Sequence, residues 1–136
     1  MATKYLIDTH ALLWYLEANR RLGLQAKAIM DNPQSEMVLS VISLAEAAII
    51  IDKGRTAIPN MTALLNLVAA DERIEIHAVT LEVLKCSLTP DGLTISELHD
   101  RLIVSTGLYL QGLGATVTLL TKDVQITKAK VLPVIW

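Results

Sequence analysis

Tyr5-Leu-Ile-Asp-Thr-His-Ala-Leu-Leu-Trp14 decides the fold. Its short apolar run, Tyr5 to Ile7, suits a buried strand and closes directly on Asp8. From His10 to Glu17 the pattern is helical. The same passage from strand to helix recurs along the chain. Met37 to Leu39 reads as a strand leading into an apolar helix, Ile42 to Lys53, that Gly54 stops. Ile74 to Val79 leads into a helix over Thr80 to Leu88, and Val117 to Leu120 leads into a short helix or turn over Asp123 to Lys130. Further helices are expected over Leu22 to Asp31, Met61 to Ala70 and Ser96 to Leu110, with a turn at Pro90-Asp-Gly92 and a last strand at Leu132 to Ile135. Short apolar strands alternating with helices predict an α/β fold, a mostly parallel central sheet with helices on both faces.

The 136 residues are enough for one domain, residues 1–136, and too few for two. Hydrophobic residues make up 52% of the chain and mean hydropathy is +0.45, yet no apolar run approaches the ~20 residues needed to cross a bilayer. The excess points to elements buried on several faces or to a partner surface. No signal-peptide pattern opens the chain, and the single Cys86 has no internal disulfide partner, so a cytoplasmic protein with no membrane association is expected. A net charge of −2 excludes simple basic nucleic-acid binders. An RNA partner would therefore need a bound metal to supply positive charge.

Ligands of open parallel sheets sit beyond the carboxyl ends of the strands. Asp8 follows the first strand directly, and Asp123 follows Leu120 after Thr121 and Lys122. Either aspartate equally reads as a helix N-cap. Glu46 lies in the apolar stretch Val41 to Ile51, where helical projection places it beside Ile42, Ile49 and Ile50; Ser43-Leu-Ala-Glu46 also matches a capping box. Asp100 shares an inward face with Ile103, Val104 and Gly107, one turn after Glu97, and both acids suit the positive end of a helix dipole. Carboxylates converging at one sheet edge repel one another unless a cation joins them. Oxygen donors without a histidine or cysteine set favour Mg²⁺, with Mn²⁺ as substitute, over Zn²⁺. Such an ion suits phosphodiester hydrolysis. His10, His77 and His99 lack zinc-site spacing and are expected at surface or cap positions.

These residues resemble the PIN-domain family, and especially the VapC-type toxins of toxin–antitoxin pairs. Tyr5 to Trp14 looks like the family's opening strand and first acidic residue. Ser40-Val-Ile-Ser-Leu-Ala-Glu46 is similar to the segment ending in the second, Leu98-His-Asp-Arg-Leu-Ile-Val104 to the third, and Leu119-Leu-Thr-Lys-Asp123 to the fourth; Val131 to Trp136 matches a short closing strand. Thr94-Ile-Ser-Glu-Leu-His99 departs from the longer lead that relatives often carry into the third motif. The resemblance implies a Mg²⁺-dependent endoribonuclease, inhibited by a cognate antitoxin protein and commonly homodimeric. Asp8 and Asp100 are then the principal metal ligands, while Glu46 and Asp123 complete the catalytic cluster and handle the attacking water. Thr9, Glu97 and Thr121 are candidate supporting residues, and Arg101 and Lys122 candidate RNA contacts; an ion pair with a nearby acid is the other reading of Arg101. The alternative is a catalytically silent PIN-like module that binds RNA or a partner. Receiver-type and haloacid-dehalogenase-like readings fail, because Asp8-Thr-His10 has no second acid after the first strand.

Overall fold

The computed structural model describes residues 3–136. In chain order the elements are β1 (Thr3–Ile7), α1 (Thr9–Leu16), α2 (Leu24–Asp31), β2 (Glu36–Ser40), α3 (Val41–Asp52), α4 (Met61–Ala69) and β3 (Ile74–His77). They continue with α5 (Leu81–Ser87), α6 (Pro90–Leu93), α7 (Leu98–Gly112), β4 (Thr116–Leu120), α8 (Val124–Ala129) and β5 (Val134–Ile135). The expected alternation is borne out, and the five strands form one all-parallel sheet in the order β3-β2-β1-β4-β5.

Side chains alternate across the sheet, as the pleat requires. Ile7, Met37, Leu39 and Leu120 point to one face, where α1, α2 and α4 cover them with Leu12, Leu13, Met30 and Leu64. Leu6, Val38, Val117 and Leu119 point to the other, beneath Ile103 and Val104 of α7 and Ile126 of α8. Burial on both faces is why these strands read as continuous apolar runs. Gly107 lets α7 approach closely: a Cβ there would lie 2.6 Å from Leu132 Cδ1 and 3.2 Å from Leu6 Cδ2.

Two local expectations need correction. Pro90 to Gly92 opens a single helical turn, α6, because Thr89 caps the Gly92 N–H and Pro90 suits the first turn of a helix. Ser43 does not start a capping box. Ser40 caps α3 through the Ile42 N–H at 3.1 Å, so the helix begins a turn earlier and Glu46 sits well inside it.

Candidate active site

The strand order places β4 beside β1 while β2 flanks the other side, so the chain reverses its direction of travel between β1 and β4. That is the switch point where parallel sheets form crevices. Ile7 pairs with Leu120, and the Asp8 N–H donates to the Leu120 carbonyl at 3.3 Å. Both aspartates thereby emerge at one edge. Helix α3 leaves β2 at that same edge, carrying Glu46. Helix α7 feeds β4 and runs antiparallel to it, so its first turn, with Asp100, starts there too.

All four acids line one hollow of about 270 Å³, together with Thr9, His10, Ile50, Ile103, Lys122 and Ile126. Asp8 and Asp123 are also N-caps, and each does this with Oδ1 alone: Asp8 accepts from Ala11 N–H at 2.7 Å and Asp123 from Ile126 N–H at 2.9 Å. Their Oδ2 atoms stand outside the caps, so capping and facing the hollow are compatible. Glu46 is not in apolar company, as its own helix face implied. The Thr9 hydroxyl donates to its Oε1 at 2.7 Å, and His99 Nδ1 lies 3.7 Å from its Oε2.

The electrostatics are those of a crowded acidic site. Desolvation raises the Asp8 carboxyl above its usual value, with Asp123 adding to the rise; the Thr121 hydroxyl, the Ala11 N–H and His10 pull it back. Asp100 is pushed up to about 6, first by desolvation and then by the negative charges of Glu97, Asp123, Glu46 and Asp8. Each listens to acids from other parts of the chain. Their ionised forms would be favoured by a cation in the hollow.

Glu97 is absent from the lining. It caps α7, its Oε2 accepting the Asp100 N–H at 2.7 Å. Desolvation opposes its ionisation, but the N–H groups of Asp100 and His99 and the His99 charge hold it below the ordinary carboxylate range. Thr121 lies behind the lining, its Oγ1 accepting the Asp123 N–H at 3.1 Å. Among the described residues Arg101 makes no ion pair: its Nε and Nη2 donate to the carbonyls of Ile95 and Ser96 at 2.7 and 3.3 Å. The carbonyls left by the loop before α7 claim it. Lys122 does reach the rim, with its Nζ 4.7 Å from the Trp14 ring centroid. Sequence reasoning passed over His10 and His99 as site neighbours, although His99 adjoins Asp100 and His10 lies two residues after Asp8.

The donor set fits a hard divalent ion. Among the described residues no three Asp, Glu, His or Cys side chains are grouped tightly enough to hold a metal ion by themselves. Mg²⁺ keeps several waters and needs only one or two carboxylates, which this looser ring supplies.

The PIN-domain family model matches residues 5–131. No curated protein matches the chain. Among solved structures, VapBC2 from Rickettsia felis, bound to a DNA fragment from its promoter, superposes with a TM-score of 0.67 at 16% identity, covering 97% of each chain. FitAcB from Neisseria gonorrhoeae gives 0.64 at 17% identity over 97% of this chain and 96% of that one. FitAB bound to the IR36 DNA fragment gives 0.62 at 19% identity, with 96% and 93% covered. At these identities the likeness concerns the fold. No described helix is long and apolar enough to cross a membrane.

Proposed function

The chain belongs to the PIN-domain family, and from that premise we propose that it is a Mg²⁺-dependent endoribonuclease, the toxin of a type II toxin–antitoxin pair acting in the cytoplasm. One observation carries the reading: Asp8, Glu46, Asp100 and Asp123, from four separate segments, line a single hollow at the switch point of the sheet. PIN domains are generally nucleases, and the solved neighbours are toxin–antitoxin proteins of the VapBC and FitAB kinds.

Asp8 and Asp100 would hold the ion, their raised carboxyls ionising as it binds. Bound there, Mg²⁺ or Mn²⁺ supplies the positive charge that the phosphoryl oxygens and the leaving oxygen need as the bond to phosphorus breaks. Glu46, fixed by Thr9, and Asp123, fixed by its cap, would orient a water for attack on phosphorus and accept its proton. Ile50, Ile103 and Ile126 restrict bulk water around these groups. An antitoxin would silence the enzyme by covering this edge, and a homodimer is proposed from the exposed leucines of α5.

Cleavage of pooled cellular RNA in Mg²⁺ tests the reading, wild type against Asp8→Asn. Cutting by the wild type and none by the variant is expected. Equal inactivity across substrates, with no Mn²⁺ binding, leaves a silent binding module. Toxin status has its own readout: expression should arrest bacterial growth and Asp100→Asn should relieve it. Unimpaired growth at high soluble expression points to a housekeeping nuclease.

A further inference from the structure

Four carboxylates make a poor entrance for a polyanion, and the chain as a whole is acidic. Positive charge near the hollow must therefore be placed. Three basic side chains, all exposed, meet at one aromatic ring beside it. Lys122 Nζ stands 4.7 Å from the Trp14 ring centroid, and the Arg21 guanidinium carbon 5.9 Å. The His10 ring is tilted against the same indole at 5.3 Å. These residues come from three places: the start of α1, the loop before α2, and the loop after β4. His10 and Lys122 also line the hollow.

Trp14 is only 8% exposed, and Trp136 packs edge-on against it at 5.9 Å. So little open ring cannot serve as a stacking platform for a base. Its use is electrostatic. The negative face of an indole attracts cations, and Trp is the strongest of the aromatic side chains at this. A ring locked in the core limits where two long, flexible cationic side chains spend their time.

Resting on the nuclease reading, we propose that Arg21 and Lys122, gathered on Trp14, form a cationic strip that holds the RNA backbone phosphates next to the scissile one. His10 fills the third side of the ring. The strip reads charge and spacing, not sequence, as phosphate contacts do. Direct base contacts play no part in it.

The experiment compares wild type with Arg21→Gln, Lys122→Gln and Trp14→Phe, and with Lys53→Gln at the exposed C-terminal end of α3 as a control of equal charge change. Steady-state cleavage of short U-, A- and C-rich RNAs is measured over a salt series. Lys122→Gln and Arg21→Gln should each raise KM about tenfold with kcat little changed, alike for all three RNAs. Each should also flatten the slope of log(kcat/KM) against log[salt] by about 0.7, the value per phosphate contact on a single strand. Trp14→Phe keeps the core filled and should raise KM about two- to fivefold. If the two cation variants match Lys53→Gln in KM and in slope while the wild type cleaves, the strip is wrong and the nuclease stands. If the wild type cleaves nothing, anisotropy of labelled RNA in EDTA decides: slopes that separate the variants keep the strip and sink the nuclease. A wild type that neither cleaves nor binds overturns both.

Discussion

The hydroxyl of Thr9, the first residue of α1, donates a 2.7 Å hydrogen bond to Oε1 of Glu46 in the middle of α3. It ties the two helices that flank the hollow and fixes one oxygen of a carboxylate that its own helix surrounds with isoleucine. Thr9→Val keeps the shape and removes the donor. With Glu46 partly solvated, stability should fall by about 1 kcal/mol, below the usual value for a bond to a charged group. Cleavage should fall too, and Thr9→Ser should restore both. Denaturant unfolding beside a cleavage assay checks this; unchanged values would mean the bond only fills a gap.

Asp100 gives a pH prediction with a definite sign. Its carboxyl titrates at about 6 in the fold against 3.8 ordinarily. Between those values the folded chain binds more proton than the unfolded one, so its contribution to stability falls as pH rises and stays low above about 6. In metal-free buffer Asp100→Asn should melt higher than wild type at pH 7, the difference vanishing near pH 4. A difference that ignores pH would show that Asp100 is not strained.

Metal should reverse that penalty. Mg²⁺ or Mn²⁺ at about 100 times its Kd should stabilise the wild type by about 2.7 kcal/mol. The gain should shrink in Asp8→Asn and Asp100→Asn, and grow from pH 5 to pH 7 as the carboxyls ionise. Thermal melts with and without the ion report it. An equal shift in all three proteins would place the ion elsewhere.

Leu81, Leu84 and Leu88 form one stripe on α5 and its C-cap, exposed by 62, 43 and 61%. Spacing of this kind aligns side chains on one helix face. If that face closes a homodimer, sedimentation should give twice 14.9 kDa for the wild type and the single mass for Leu84→Glu/Leu88→Glu. A wild type of single mass removes the dimer.

The alternation of strand and helix was legible because each element is dictated by neighbours a few residues away. Tyr5 to Ile7 is apolar throughout and Val117 to Leu120 is interrupted only by Thr118, as strands buried on both faces require; Asp8 follows the first directly and Asp123 the second after Thr121 and Lys122. The capping ambiguity was real, and both aspartates do cap. Where the reading misjudged a residue's company, groups outside its own helix intervened. Of the two readings of Arg101, the ion pair with an acid is absent among the described residues, because Nε and Nη2 meet the carbonyls of Ile95 and Ser96. Glu46 looked isolated because the projection of one helix cannot include a threonine on another.

From its residues alone, this chain determined a mostly parallel sheet and four acids following or entering its elements, since periodicity and strand-end placement are local properties. Tertiary structure alone decided that β4 lies beside β1, that Asp123 therefore faces Asp8 across the crevice, and that Arg21 and Lys122 share the ring of Trp14. Which strands become neighbours depends on how two apolar faces are covered by helices far apart in the chain, and only the packed whole settles that competition.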